Sequence, residues 1–166
     1  MSFWETGMQI RVARRADIAA VDALLARAYP RLLKADYPPS LLVTAIPLIA
    51  RAQPRLVTSG SYFVAEDDGH IIGAGGWTAD RADPARGNIR HVVTDDRRLR
   101  EGIGRAIITR ALDEAAAGGV TRMDCSATRT AVPFYAALGF ESVGPVTVAL
   151  APGIDFPAIA MRRNLG

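Results

Sequence analysis

The sequence predicts a mixed α/β protein in which a central β-sheet is flanked by helices. Stretches with the two-residue periodicity of strands alternate with stretches of helical periodicity, and one strand–helix–strand unit stands at the centre of the chain. A length of 166 residues suits one compact domain, and no repeat or flexible linker divides it. We therefore expect residues 1–166 to form a single domain with one active site.

The first half of the chain predicts a strand, several helices and a hairpin. Residues 8–12 alternate as a short strand, and Asp17 opens an amphipathic helix. Five prolines interrupt residues 29–55, so helices there should be short or kinked. Residues 61–66 and 70–77 read as two antiparallel strands, because the intervening Asp-Gly favours a tight turn.

The second half adds the central unit and the C-terminal strands. The predicted strands are 88–94, 121–126, 140–143, 147–150 and 156–162, and the predicted helices are 103–115 and 131–138. Gly118-Gly119 should end the longer helix, because glycine adopts left-handed conformations without a Cβ penalty. Turns at Gly144-Pro145 and Pro152-Gly153 should separate the last three strands.

The composition argues for a folded protein of a reducing compartment. Hydrophobic residues make up 49% of the chain and charged residues 22%, which excludes an extended disordered chain. No apolar run approaches the roughly 20 residues of a membrane span, and residues 1–5 lack a signal-peptide pattern. We expect a cytoplasmic protein without a membrane partner, in which the lone Cys125 is a small buried strand residue beside Met123.

The basic residues predict a local anion site instead of a nucleic-acid surface. The net charge of +3 comes almost wholly from arginine, with Lys34 the only lysine. The densest basic group comprises Arg97, Arg98, Arg100 and Arg105. Acidic residues interleave this group, whereas nucleic-acid binders typically carry a clustered basic stripe. No nucleic-acid partner is therefore expected.

The turn of residues 100–105 has the features of a diphosphate site. It opens a helix, whose first N–H groups and positive dipole end attract anions, and Gly102 and Gly104 allow close backbone approach. A dinucleotide-binding fingerprint would need another glycine where Ile107 stands, and a P-loop would need Gly-Lys-Ser/Thr. An ordinary glycine-containing loop is the remaining alternative.

Three segments together resemble the GCN5-related N-acetyltransferase (GNAT) family: residues 89–95, the turn at 100–106 and residues 131–140 with their Phe-Tyr-x-x-x-Gly-Phe pattern. The resemblance implies acetyl-coenzyme A as cosubstrate, bound in a V-shaped cleft between splayed parallel fourth and fifth strands, here residues 88–94 and 121–126. It also implies direct attack by an acceptor amine in a ternary complex, without a metal.

The resemblance implies a set of cofactor-binding residues: Val92, Val93, Thr94, Arg100, Glu101, Gly102, Ile103, Gly104, Arg105, Ala106, Thr130 and Tyr135. The strand residues among them would pair with the pantetheine arm through their backbone. Two positions depart from the family pattern. Leu99 replaces the usual Gln or Arg, and Thr130 replaces a frequent asparagine, so its hydroxyl should either substitute or, as we favour, cap the following helix.

Tyr135 is the predicted catalytic residue, since the family often places its general acid there and a phenol could protonate the departing thiolate. The alternative is a core tyrosine beside Phe134. The general base stays open between a side chain and a water chain. Asn88 cannot accept a proton. Strand alternation places His91 with Ile89 and Val93, on the face away from Asn88, so a packed or hydrogen-bonded histidine is favoured over a base.

The acceptor is predicted only as a primary amine of a small molecule or peptide. The family usually shapes this pocket from the segments that correspond to residues 29–56 and 148–156. The candidates for its wall are Tyr29, Tyr37, Trp77 and Asp36, each of which could equally serve packing or the surface. A non-catalytic acyl-coenzyme A-sensing or interaction module is the alternative function, and the apolar C-terminal strands could form the edge of a homodimer.

Overall fold

A computed structural model of the protein describes residues 7–166; the N-terminal residues 1–5, considered above for a signal peptide, lie outside this range. The strands are β1 (Met8–Val12), β2 (Tyr62–Asp67), β3 (His70–Ala79), β4 (Arg86–Thr94), β5 (Arg122–Ala127), β6 (Glu141–Ala151) and β7 (Ile154–Asn164). The helices are α1 (Ile18–Leu33), α2 (Pro39–Ile49), α3 (Pro54–Val57), α4 (Ile103–Ala117) and α5 (Val132–Ala137), with 3-10 turns at Arg15–Asp17 and Arg129–Ala131.

The seven strands form one sheet in the order β1-β2-β3-β4-β5-β7-β6. Every neighbouring pair is antiparallel except β4 and β5, which run parallel because α4 connects them as a crossover. The predicted mixed sheet with one central strand–helix–strand unit is confirmed.

Helices cover both faces of the sheet. On one face α1 buries Leu24 and Leu25 against Tyr62 and Val64 of β2. On the other face α4 packs against β5, where Cys125 is 6% exposed, as predicted for a small buried strand residue. Apolar residues at helical spacing on α1 and α4 therefore fill two cores, one on each side of the same sheet.

Glycines in β3 allow α4 to lie close to the sheet. A Cβ at Gly73 would come within 2.6 Å of Ile103 and 2.9 Å of Ile107, and a Cβ at Gly75 within 2.9 Å of Val92. Real Cβ atoms do not approach so closely. The missing side chains thus fix the spacing between β3 and the helix whose first turn forms the predicted anion site.

Prolines shape residues 29–55 as predicted, with two exceptions. Pro39 and Pro54 occupy first-turn positions of the short helices α2 and α3, where a missing N–H leaves no bond unmade. Pro30, however, lies inside α1, which continues to Leu33, and Pro47 lies inside α2, which continues to Ile49. Leu33, beyond Pro30, is buried in the cluster around Tyr37.

The C-terminal strands differ from the prediction. Residues 140–143 and 147–150 were expected as two strands, but Glu141–Ala151 is one strand that pairs with β7 throughout. A register shift between Ser142 and Gly144 leaves Val143 without a partner on β7, and Pro145 is tolerated because β6 is the edge strand of the sheet. The Gly144-Pro145 pair, which predicted a turn, therefore lies beside a bulge within β6.

Within residues 7–166, no helix has both the length and the apolar character that crossing a bilayer requires.

Gly76 gives the first testable prediction. A Cβ there would collide with the Ser61 carbonyl oxygen and approach Tyr62 Cα to 2.7 Å, and neither backbone atom can rotate away. We expect Gly76→Ala to lower the free energy of unfolding by about 1–3 kcal/mol, as overpacking does. Urea denaturation measures this change. Gly118→Ala is the matched control, since its new Cβ would meet only ordinary contacts at 3.5 Å, and equal stability of the two variants would contradict the prediction.

Candidate active site

The site begins where β4 and β5 separate. The two strands pair only from Arg86↔Arg122 to Asn88↔Asp124, and the following residues of β4 have no partner on the β5 side. Parallel strands that continue in register would close this gap with a ladder of backbone hydrogen bonds. The unpaired stretch instead opens a V-shaped cleft in the middle of the sheet, and the predicted splay of the parallel strands is confirmed.

A β-bulge at His91 sets which side chains face the cleft. Arg90 pairs with Gly76 and Val93 with Ala74, so His91 and Val92 together oppose Gly75. His91 has φ = 52°, in the left-handed region that a bulge residue can adopt. The bulge breaks the alternation of side chains along β4.

The orientation predicted for His91 is therefore wrong. Strand alternation placed it on the face away from Asn88 and Arg90, but the extra residue turns it to the α1–α2 side with them. Its Nε2 lies 2.6 Å from the Ile49 carbonyl oxygen of α2. Val92, predicted to share the face of Asn88, instead contacts the α4 side, where it faces Gly75.

The bulge carbonyls are held by two buried tyrosines. Tyr62 donates to the His91 carbonyl oxygen at 2.7 Å, and Tyr29 donates to the Val92 carbonyl oxygen at 2.9 Å. Burial raises the pKa of both phenols well above the ordinary value, so both remain donors. The two bonds give partners to carbonyls that the bulge leaves without a regular ladder partner.

A narrow apolar cavity runs along the unpaired part of β4. It has a volume of about 200 Å³. Its lining combines Val92, Val93, Thr94 and Leu99 with residues of α1 and with Thr128, Thr130, Ala131, Phe134 and Tyr135. Five of the predicted cofactor residues, all those outside the turn, are thus brought together around one cavity. Leu99, the departure from the family pattern, is 51% exposed at this cavity.

The turn between β4 and α4 presents backbone donors, as its glycines predict. Arg100 and Gly102 have φ of 67° and 79°, and Gly102 is the N-cap of α4. The first helical N–H groups, at Ile103, Gly104 and Arg105, have no acceptor inside the helix. The Ala106 N–H donates to the Gly102 carbonyl oxygen at 3.0 Å, so this N–H is not free for an anion, and a cofactor contact of Ala106 stays a prediction.

Two of the four arginines at the turn are neutralised inside the protein. Arg97 binds Asp95 at 3.0 Å, and Arg98 binds both Asp67 at 2.7 Å and Glu101 at 2.9 Å. The hydrogen bonds from Arg97 lower the pKa of the buried Asp95 carboxyl to about 2. Glu101, predicted at the cofactor site, therefore has its charge balanced by Arg98.

Arg100 and Arg105 make no ion pair with any residue of the described range. Both are exposed at the start of α4. Their guanidinium groups remain available to an external anion at the helix N-terminus. The anion site predicted from four arginines thus depends on two arginines and the backbone.

Gly104 has a packing role that the sequence did not reveal. A Cβ there would lie 3.0 Å from the tip of the Phe134 ring and 3.2 Å from Thr94 Oγ1. Phe134 and Thr94 both line the narrow cavity. A side chain at position 104 would therefore push the cavity wall and also obstruct the first turn of α4.

Tyr135 is buried, with 5% of its surface exposed, between Phe134 and Phe140. Burial, and then the proximity of Cys125 and Tyr29, raises the pKa of its phenol well above the ordinary value. The residue both packs in the core and lines the narrow cavity, so the two predicted roles are compatible. Burial likewise raises the pKa of the Cys125 thiol to about 12, which keeps it an inert thiol.

The predicted helix-capping role of Thr130 is wrong. Thr128 Oγ1 accepts from the Ala131 N–H at 3.3 Å and caps the 3-10 turn, whereas the Thr130 hydroxyl lies 2.6 Å from Asp36 Oδ2. Sequence reasoning missed Thr128, although a threonine three residues before Ala131 is a recognisable N-cap signal.

A second, larger cleft of about 630 Å³ opens on the α1–α2 side of the splayed strands. Of the four residues proposed for the acceptor wall, only Tyr29 lines it. Tyr37 is buried against Phe156, Asp36 binds Thr130, and Trp77 packs on the opposite face of the sheet beside Glu114. Tyr29 and Thr128 line both cavities, so the two meet at these residues.

The described part of the chain has no cluster of side chains that could bind a metal ion. No group of three or more His, Cys, Asp or Glu side chains between residues 7 and 166 is arranged to hold an ion.

Comparison with known proteins agrees with this geometry. The sequence model of the acetyltransferase (GNAT) domain matches residues 41–161, well over half of the chain. The chain belongs to the GNAT acetyltransferase family. The predicted resemblance is confirmed.

Solved structures share the fold of this GNAT protein. A GCN5-related N-acetyltransferase from Rhodopseudomonas palustris aligns with a TM-score of 0.76 at 18% identity, covering 94% of both chains. PaiA N-acetyltransferase from Thermoplasma acidophilum, in complex with coenzyme A, aligns with a TM-score of 0.74 at 14% sequence identity, and the alignment covers 99% of both chains. YncA, a putative acetyltransferase from Salmonella typhimurium with acetyl-CoA, aligns with a TM-score of 0.67 at 19% sequence identity, and the alignment covers 96% of this chain and 94% of YncA.

A search of curated proteins finds no match to this chain. At sequence identities between 14% and 19%, the structural likeness establishes only the fold.

The turn gives the second testable prediction, an order of coenzyme A affinities. We expect Gly104→Val to weaken binding about tenfold or more, because it displaces Phe134 and the first turn of α4. Arg100→Ala removes one exposed charge and should weaken binding only about fivefold or less. Isothermal titration with coenzyme A measures both, and thermal unfolding verifies that both variants fold. The reverse order would mean that side-chain charge dominates the site.

Proposed function

We propose that the whole chain acts as a single N-acetyltransferase domain that moves an acetyl group from acetyl-coenzyme A to a primary amine in a ternary complex. The observation that carries the proposal is the meeting of two cavities at Tyr29 and Thr128. Direct transfer requires two substrates to reach one point from different sides, and one cavity alone would not allow it.

The residues at the narrow cavity fit coenzyme A. The free N–H groups at the start of α4, with Arg100 and Arg105, suit a diphosphate. The apolar cavity beside residues 92–94 suits the pantetheine arm, which can pair with the unpaired edge of β4 as an added strand. When bound, acetyl-coenzyme A supplies the activated thioester, and the remaining chemistry belongs to side chains of the chain.

We assign the general acid to Tyr135. Its raised pKa keeps the phenol protonated at neutral pH, so a proton is always present at the narrow cavity. The neighbouring Cys125 sulfur is at best a weak hydrogen-bond acceptor, so the phenol can turn to a departing thiolate without leaving a strong bond. A buried donor of this kind stabilises developing negative charge more than water does.

We assign the general base to His91. The Ile49 carbonyl oxygen can only accept, so Nε2 carries the hydrogen and the neutral ring keeps a lone pair on Nδ1. Burial lowers the pKa of the imidazole below its ordinary 6.5, so the ring is neutral at pH 7. The ring lines the larger cleft beside Tyr29, where the acceptor amine must arrive.

The proposed step balances with these two groups. The amine nitrogen bonds to the acetyl carbon as its proton passes to His91, the carbon–sulfur bond breaks, and the thiolate takes the Tyr135 proton. The products are the acetamide and free coenzyme A, and proton transfer through solvent from His91 to the Tyr135 phenolate returns both side chains to their starting states.

Release of coenzyme A thiol with a panel of primary amines tests the proposed function. We expect amine-dependent thiol release and an acetylated product by mass spectrometry. Tight acetyl-coenzyme A binding without transfer to any amine would instead favour the acyl-coenzyme A-sensing alternative. Failure to bind acetyl-coenzyme A would overturn both functions.

Tyr135→Phe should lower kcat about 100-fold, the lower end of general-acid contributions, while the Kd for coenzyme A stays within about twofold. The ring packing against Phe134 and Phe140 is kept, so stability should change little. Steady-state kinetics and isothermal titration separate the two effects. Unchanged kcat would remove Tyr135 from the mechanism and leave it a core residue.

His91→Gln tests the base, because a glutamine amide can donate to the Ile49 carbonyl but cannot take a proton. We expect kcat/KM of the native protein to fall as the pH drops through the lowered pKa of His91, since protonation removes the Nδ1 lone pair. In His91→Gln that acid limb should vanish and kcat should fall about 100-fold. A pH–rate profile with the limb intact would point to a water chain instead.

A further inference from the structure

One sheet face at the splay carries polar side chains that line the larger cleft. Sheet register places Asn88, Asp124 and Arg162 in one row across β4, β5 and β7. Arg90 is two residues beyond Asn88 and shares its face, since side chains alternate up to the bulge. All four residues line the larger cleft. Register thus gathers charged groups on the same side as His91.

The only carboxylate in this lining is already paired. Asp124 accepts from Arg86 at 2.8 Å and from Arg122 at 3.2 Å, and these bonds lower the pKa of its carboxyl despite its burial. Its negative charge is therefore balanced by these two arginines.

The other two arginines of the cleft keep unpaired charge. Arg90 uses only its Nε, which donates to Thr78 Oγ1 at 2.9 Å. Arg162 makes no ion pair within residues 7–166, although Glu141 is opposite it on β6. The cleft thus has an excess of two positive charges, each with planar N–H donors free for an external acceptor.

The rest of the cleft is lined largely by apolar side chains. Leu48 and Ile49 of α2 and Val148, Leu150 and Phe156 of the C-terminal hairpin form this apolar wall. Leu48 is 41% exposed, although it is a large apolar side chain. A ligand in the cleft would meet both cations and hydrocarbon.

We infer that the acceptor amine also carries a carboxylate, bound by Arg90 and Arg162, with its carbon skeleton against the apolar wall and its amine beside His91. This inference rests on the proposed acetyltransferase function. A cleft of about 630 Å³ holds a small molecule, and the arginine fork matches a carboxylate in two parallel hydrogen bonds. A neutral amine would leave both cations without a partner.

Matched amines test the inference with acetyl-coenzyme A at saturation. The pairs are 4-aminobutyrate with n-butylamine, 6-aminohexanoate with n-hexylamine, and L-leucine with L-leucinamide. They are assayed with the native protein, Arg90→Gln and Arg162→Gln. Arg81→Gln is the control, because Arg81 is exposed, lies outside the cleft and loses the same charge.

We expect the carboxylate member of at least one pair to be favoured tenfold or more in kcat/KM. Arg90→Gln and Arg162→Gln should each raise its KM about tenfold, as loss of a charged hydrogen bond does, and leave the neutral member within twofold. Arg81→Gln should change the KM of neither the carboxylate member nor the neutral member. Neutral amines acetylated as well as their partners, with no effect of either arginine variant, would overturn the inference and leave the proposed function standing.

A binding measurement covers the case in which no member of the panel is acetylated. Glutarate and its neutral analogue glutaramide are titrated by calorimetry into the coenzyme A complex. We expect the native protein to bind glutarate but not glutaramide. The affinity of the Arg90→Gln/Arg162→Gln double variant for glutarate should be at least tenfold lower. Equal binding of glutarate to both proteins, or no binding to the native protein, would overturn the inference. Failure to bind coenzyme A at the outset would instead overturn the proposed function.

Discussion

The loss of hydrogen bonding between β4 and β5 after Asn88 and Asp124 is the constraint on which the site depends. If the ladder continued, the backbone of residues 92–94 would be paired, and neither cavity would exist. Tyr29 of α1, Thr128 before α5 and Tyr135 of α5 line the space beside the unpaired part of β4. Burial of these side chains replaces the missing backbone bonds with packing and with hydroxyl donors.

The bulge at His91 turns that opening into two distinct chambers. One extra residue in β4 sends Val92 and Thr94 to the α4 side and leaves Arg90 and His91 together on the other side, at the larger cleft. The left-handed backbone of a histidine is disfavoured by roughly 1–2 kcal/mol. Hydrogen bonds from Tyr62 and to Ile49 hold it in place. The strained backbone therefore falls on the residue that we propose as the general base.

The arginines of this protein differ in whether they form an ion pair with a carboxylate. Arg97, Arg98, Arg86 and Arg122 are paired with carboxylates and fix the turn and the base of β5. Among the arginines without an ion pair in the described range, Arg100 and Arg105 lie at the start of α4, and Arg90 and Arg162 line the larger cleft. The charge of these four side chains is available to the ligands proposed for the two sites.

The sequence by itself determined the order of elements, the mixed sheet and the glycine turn, because periodicity and glycine placement are local properties of a chain. It also determined the family, through motifs whose spacing follows from that local structure. Only the tertiary structure decided which face His91 occupies, which threonine caps the turn before α5, which arginines are unpaired and why Gly104 lacks a side chain. These features depend on a bulge, on ion pairs between distant residues and on contacts with Phe134. Sequence spacing carries no information about partners that meet only when the sheet and helices have assembled.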